Sequence, residues 1–290
     1  MFTHVQNVVL VLLELNKYFL IFILIANGLS KECFCHESGL LKLHPKERFY
    51  LECFFKELVF EDGFAYTLFF DKPICFSGYL NQPSKLIKAP NSLNFAKGWR
   101  FWKKYENLFP HPNFIFIEEP LKNNELAEFE SRTGEKIQMH AIYIINKKEL
   151  KKLLIQHVDL FNKELGPSFH LEEFMQQIAS GSSLSGAIHH HEGLLGLLLG
   201  YGRESAIAYD QHQKNGFKES TRLKPLSLQP TYCHTNKGRC QVQSIQFVGD
   251  PDSKEVQEIL EKNRRQKVML SDIYAKGDFL EITLHELSKE

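Results

Sequence analysis

Gln138-Met-His-Ala-Ile-Tyr-Ile-Ile145, followed at once by Asn146-Lys-Lys-Glu-Leu150-Lys-Lys-Leu-Leu154-Ile-Gln-His157, is the stretch that decides the fold. Its first half is rich in β-branched and aromatic residues, the composition of a strand. Asn146 stands where a helix begins, because its short amide can accept a hydrogen bond from a free N–H of the first turn. Beyond it Leu150, Leu153, Leu154, His157, Phe161 and Leu165 fall on one side at helical spacing, until Gly166-Pro167 ends the run. A strand that passes directly into an amphipathic helix calls for a sheet with helices packed on it.

The reading extends outward from there. Towards the N-terminus, Asn113 to Ile117 is a short strand, and the polar stretch from Leu121 to Lys136 is a loop. Phe95, Trp99, Trp102, Tyr105 and Phe109 recur at spacings of three and four, one face of a helix that Pro110 stops. Asn81 to Asn94 is polar with two prolines and reads as a loop. Phe64 to Phe70 and Ile74 to Leu80 read as two strands of a hairpin joined at Asp71-Lys72-Pro73. Residues 44 to 60 form an amphipathic helix with Pro45 at a first helical position.

Towards the C-terminus, Leu171 to Ala179 is a helix, and Gly181-Ser-Ser-Leu-Ser-Gly186 is a flexible link. Gly193 to Gly200 is a buried helix whose glycines imply close backbone approach to a neighbour, and Arg203 to His212 begins a second helix. Gly216 to Gly238 is irregular and Gln241 to Val248 alternates as a strand. Asp250-Pro251 opens a helix through Lys267, and Phe279 to Leu284 alternates as a last strand. Strands and helices interleave with no regular βαβ period and no internal repeat. The fold class is α+β, a mixed or antiparallel sheet with several amphipathic helices, after an N-terminal hydrophobic segment.

Of 290 residues 43% are hydrophobic and 24% charged, with 35 Lys+Arg against 35 Asp+Glu. Such proportions exclude a disordered or low-complexity chain. The neutral balance argues against nucleic-acid binding through bulk charge. The first thirty residues differ from the rest: apolar residues run from Val8 to Leu13, and again without interruption from Tyr18 to Ala26. Membrane-spanning by residues 8–26 would place Glu14 and Lys17 near the bilayer centre, at roughly 2.5–3.5 kcal/mol each. A short apolar run after a lysine and before small residues fits a secretory signal peptide better. Residues 1–29 are therefore read as a signal peptide, with an uncleaved anchor by residues 8–26 as the alternative. Residues 30–290 are read as one globular domain. The expected location is exported: periplasm, envelope or secreted.

The densest cluster of potential ligands is His189, His190, His191 and Glu192. Imidazole and carboxylate suit zinc, and on a helix His189 and Glu192, three apart, would share a side. The zincin pattern fails because Leu195 holds the second histidine position. Without a metal, the cluster is a polar helix start with Glu192 favoured by the helix dipole. Cys233 and Cys240 are candidates for a local disulfide; with His234, Cys33, Cys35 and His36 they also offer a weaker zinc set, in a spacing that matches no strong signature. Gly200-Tyr-Gly202-Arg203 has only the beginning of a phosphate loop; its plain reading is a helix end with glycine in the left-handed region. A pocket, if one exists, is expected near Tyr201 and Arg203. The serines of Gly181 to Gly186 do not fit Gly-x-Ser-x-Gly, and Cys75 lies in a strand-like run.

Glu192-Gly-Leu-Leu-Gly-Leu-Leu-Leu-Gly-Tyr-Gly-Arg-Glu-Ser-Ala206, with Trp102 to Phe116 and Gly277 to Thr283, resembles uncharacterised proteins of chlamydia-like bacteria over most of the body after Ser30. The resemblance implies no activity and carries over no catalytic residue. The leading expectation is an exported or envelope-associated globular protein with a binding or structural role. Its partner would be a protein or envelope component, with membrane contact at the N-terminus and no cofactor other than zinc in view. The alternative is a hydrolase-type enzyme with a site near His189, Glu192, Tyr201 and Arg203. A third reading uses the Phe95–Phe109 face of a membrane-anchored protein for interaction. The intact mass of the protein from its native source, taken without reductant, is expected to lack the N-terminal run. A full-length mass would point instead to the anchor.

Overall fold

The computed structural model describes residues 40, 42–80, 90–121, 138–216, 222–228, 231–235, 238–243 and 245–290, with the backbone alone for 90–92, 231–235 and 238–241. The signal or anchor expected at residues 1–29 lies outside this range, as do Cys33, Cys35 and His36. Residues Pro45–Glu290 form one compact unit. In chain order it holds α1 (Pro45–Phe60), α2 (Phe64–Phe69), β1 (Ile74–Leu80), α3 (Pro90–Tyr105), β2 (Phe114–Leu121), β3 (Met139–Asn146), α4 (Lys147–Gln156) and α5 (Val158–Leu165). There follow α6 (Leu171–Ala179), α7 (Leu184–Ala187), α8 (Glu192–Leu198), α9 (Arg203–Lys214), β4 (Lys224–Leu226), β5 (Thr231–Thr235), β6 (Gly238–Val242), β7 (Phe247–Gly249), α10 (Lys254–Tyr274) and α11 (Phe279–Leu287). This is an α+β fold, dominated by helices around a small antiparallel sheet.

β3 is the middle strand of the order β1-β3-β2, antiparallel to both neighbours. Its six residues from Ala141 to Asn146 are all buried, so the strand is covered on both faces and reads as an apolar run rather than an alternation. On one face Ala141, Tyr143 and Ile145 join a leucine-rich core with Leu150, Leu154 and Phe161. On the other, Ile144 stands opposite Phe116, whose ring lies 4.8 Å from Trp102. This second core is aromatic: Trp102 meets Phe55 edge-on at 5.1 Å and Trp99 lies 5.8 Å from Phe54, which joins α1 to α3. The two helices cross so closely that a Cβ on Gly98 would stand 2.3 Å from the Tyr50 carbonyl oxygen. The face of Phe95, Trp99, Trp102 and Phe109 is core, not surface.

Several elements depart from the expected ones. Phe64–Phe69 is a helix, so β1 has no hairpin partner before it. Gly63, at φ 76°, turns the chain out of α1, and Phe64 to Leu68 are buried on every side, which leaves no alternation for a strand. Phe279–Leu287 is likewise a helix. Asp278 caps it, accepting from Leu280 N–H at 2.9 Å and Glu281 N–H at 3.4 Å, and Thr283 donates back to the Phe279 carbonyl at 2.6 Å. The helix after Asn146 is two helices, parted at His157, whose backbone leaves the helical region (φ −120°, ψ 24°). Helix α3 begins at Pro90, inside the segment read as a loop. Residues 181–186 are ordered, with Ser183 capping α7. The stretch read as one strand from Gln241 to Val248 divides between β6 and β7, which belong to different sheets.

Asn146 ties these elements together. Its Oδ1 accepts from Glu149 N–H at 3.2 Å and caps α4. Its Nδ2 donates to the Thr67 carbonyl in α2 at 3.1 Å, and its backbone N–H donates to the Pro73 carbonyl at 2.9 Å. Asn146→Ala removes a cap worth about 1 kcal/mol and orphans a buried carbonyl at about 1–3 kcal/mol. The expected loss in urea unfolding is thus about 2–4 kcal/mol. Asn146→Asp keeps the cap acceptor but places a carboxylate at the Thr67 carbonyl, so it rescues little; full rescue by Asp would show that the cap alone matters.

Candidate functional site

Segments apart in sequence meet around α8, α9 and β7. His191 caps α8: its Nδ1 accepts from Leu194 N–H at 3.2 Å, which leaves the ring proton on Nε2 to donate to Glu164 at 3.0 Å. Gly193 and Gly196 face α9, where an added Cβ would stand 3.0 Å from the Cβ of Asp210 and 3.4 Å from that of Ala206. The close approach implied by the glycine spacing is thus an α8–α9 contact. Gly200 and Gly202 hold φ 82° and 84° in the turn between the helices. Arg203 N–H and Glu204 N–H, the first donors of α9, both go to the Glu255 carboxylate of α10, at 2.8 Å each. An anion would bind a helix start there, and the protein's own carboxylate fills the position.

Between these elements lies a cavity of about 220 Å³. Leu195, Leu199, Ala206, Phe247 and Val248 give it an apolar lining. The Tyr201 ring stacks on Phe247 at 5.8 Å and 13°, and burial pushes its hydroxyl up to about 12. Polar atoms come from Glu192, Tyr209 and Ser205. Ser205 is 2% exposed and its Oγ has no hydrogen-bond partner among the described residues.

Of the candidate residues, Glu192 and Tyr201 line this cavity together. The Arg203 side chain instead forms a bidentate pair with Asp159 at 3.0 and 2.6 Å and lines a separate groove. His189 lines neither. It and His190 are exposed, with left-handed backbones at φ 53° and 56°, and the helix starts only at Glu192. The helical i, i+3 relation that joined His189 to Glu192 as a zinc pair is therefore not the geometry present. Among the described residues no group of three or more His, Cys, Asp or Glu is placed to hold a metal ion. Cys233 stands directly opposite Cys240 in the β5–β6 ladder, the backbone relation a cross-strand disulfide requires.

Two buried polar clusters escaped the sequence reading. Glu119 is 5% exposed and takes hydroxyl donors from Ser183, at 2.5 Å, and from Ser185. The serines read as a flexible link are thus clamped on a buried carboxylate of β2. The other cluster lies at the start of β1. Lys72 is buried and donates to the Ile74 carbonyl at 2.6 Å; Ser77 donates to Asp62 at 2.6 Å. Cys75 is fully buried, its thiol directed at the Asp62 carbonyl oxygen, and burial pushes it up to about 12. Only Asp71-Lys72-Pro73, read as a polar turn, marked this place. Lys72 is buried by chain far off in sequence: its stem packs at Gly200, where an added Cβ would lie 3.7 Å from its Cγ.

Compared with protein-family models, with curated proteins and with solved structures, the chain gives no match in any of the three.

Burial raises the Asp62 carboxyl from 3.8 to about 7, against the opposing hydrogen bond from Ser77. The folded protein holds this proton where the unfolded chain has lost it, so the stability is full below about pH 4. It is lost as pH rises through about 7, on the order of 2–4 kcal/mol. Asp62→Asn is expected to remove this slope. Urea midpoints of wild type and variant at pH 4, 5.5 and 8 will converge at low pH and separate at high pH; a gap independent of pH would refute it.

Proposed function

We propose that the protein is an exported or envelope-associated binding protein that takes a small, largely apolar molecule with one hydroxyl or amine in the α8–α9–β7 cavity. The observation that carries this reading is the apolar cavity itself, with Ser205 among its lining residues and the Ser205 hydroxyl buried without a hydrogen-bond partner among the described residues. An unsatisfied buried polar group costs about 1–3 kcal/mol, which a ligand atom can recover. Concave apolar lining with a few polar groups is the usual make-up of a small-molecule site. At about 220 Å³ the space exceeds the roughly 150 Å³ that holds one benzene ring in an engineered cavity. Glu192, at the exposed end of α8, adds a carboxylate that suits a donor group.

Binding is preferred to the hydrolase-type reading because the four candidate residues do not converge: the Arg203 guanidinium is held by Asp159, and His189 stands on an exposed turn. Export is supported by the apolar run from Tyr18 to Ala26.

The test compares two probes of equal shape, benzyl alcohol and ethylbenzene, by isothermal titration. Wild type is expected to prefer the alcohol by about fivefold to tenfold, the worth of one hydrogen bond. Ser205→Ala is expected to bind ethylbenzene as before and to lose the preference. No saturable binding of either probe would end the proposal.

A further inference from the structure

A second cavity, of about 300 Å³, lies across Tyr201 from the first and opens at the exposed Glu61. Lys72 and Asp62 line it with Phe76, Ile245 and Gln246. Nothing in the proposed binding function uses these groups. We propose that this cavity is a carbonyl-capturing site, in which the Lys72 amine condenses with a small hydroxylated aldehyde to form an imine.

The argument rests first on placement. Lysine side chains rarely leave water. Lys72 is 8% exposed; among the described residues no carboxylate lies within ion-pairing distance of its Nζ, which donates to the backbone carbonyl of Ile74. An ammonium in that position lacks the counter-charge that buried cations need, so the neutral amine is favoured. Burial accordingly lowers the Lys72 pKa, an effect larger than the opposing influence of Cys75 and Asp62 nearby. A neutral lysine amine in a desolvated pocket is the nucleophile of imine chemistry. Lys267, also buried, does not line this cavity.

The step balances without an outside oxidant or reductant. The Lys72 nitrogen adds to the carbonyl carbon, and the carbonyl oxygen takes a proton to give a carbinolamine. That hydroxyl then leaves as water, the nitrogen lone pair closes the C=N bond, and the nitrogen, which gave one proton up when the carbinolamine formed, releases its last one to leave the neutral imine. Asp62, held by Ser77 on the same cavity wall, is the acid that protonates the departing hydroxyl. The carboxyl and amide groups of Glu61, Asp62 and Gln246 suit a hydroxylated chain, while Phe76 and Ile245 cover its carbon skeleton.

The probe is glycolaldehyde with sodium cyanoborohydride, whose hydride reduces the imine carbon and fixes the adduct as a secondary amine. The full-length protein is treated at pH 7 with limiting reagent and its lysines are mapped by mass spectrometry. Lys72 is expected to be labelled at least tenfold faster than the exposed lysines, a difference that disappears in urea. Lys72→Arg and Lys72→Met are each expected to lose the fast adduct while leaving benzyl alcohol binding in the first cavity unchanged. Slow labelling of Lys72 in the folded wild type, equal to that of exposed lysines, overturns the proposal whether or not either variant folds. Loss of alcohol binding with fast Lys72 labelling intact would remove the first site and leave this one.

Discussion

One buried amide holds the architecture in register. Asn146 ends the central strand, caps α4, and reaches across to the carbonyl of Thr67 while its own backbone holds Pro73. Strand, following helix, preceding helix and the start of β1 therefore share a single side chain. A buried polar group that satisfies several partners at once specifies one arrangement more sharply than apolar packing does, because any slip leaves an acceptor without its donor. The leucine-rich core and the aromatic core each tolerate some repacking. Their separation by the sheet depends on this junction.

The same logic of satisfied polar atoms runs along β2. Neighbouring residues on a strand point to opposite faces, so Glu118 and Glu119 enter different layers. Glu118 receives Tyr79 and the Trp99 indole, the latter at 2.7 Å, on the aromatic side. Glu119 receives Ser183 and Ser185 on the other. Each carboxylate pulls a helical layer onto the sheet by hydrogen bonds, and the apolar contacts then fill the space between. The Ser205 hydroxyl is one of several buried polar atoms left without such an answer among the described residues.

What the sequence disclosed follows from what local chemistry encodes. The helix of Phe95 to Phe109, the strand of Gln138 to Ile145 and the Asn146 cap were legible because period and cap are local signals. Phe64–Phe69 was not, since a short segment buried all round carries no periodicity; Phe279–Leu287 has helical spacing in its buried Phe279, Leu280, Thr283, Leu284 and Leu287 and a cap signal in Asp278 with Glu281 three places on, but the apparent alternation from Phe279 to Leu284 outweighed both. Tyr201 was singled out through the unusual Gly-Tyr-Gly turn, and it lines the α8–α9–β7 cavity. Glu192 came to that cavity by a different route from the one that singled it out. The surroundings of Ser205, Lys72, Asp62 and Glu119 are completed by other segments of the chain, which spacing within one sequence does not reveal.

The Glu255 carboxylate on the first turn of α9 has a mechanical consequence. Through it the long helix α10 grips the backbone at the very turn that presents Tyr201 and Ser205. Gly202 leaves no slack in that grip, since even a methyl group there would collide with the carboxylate. A helix twenty-one residues long is thereby anchored, through its first turn, to the backbone that enters α9 beside the cavity.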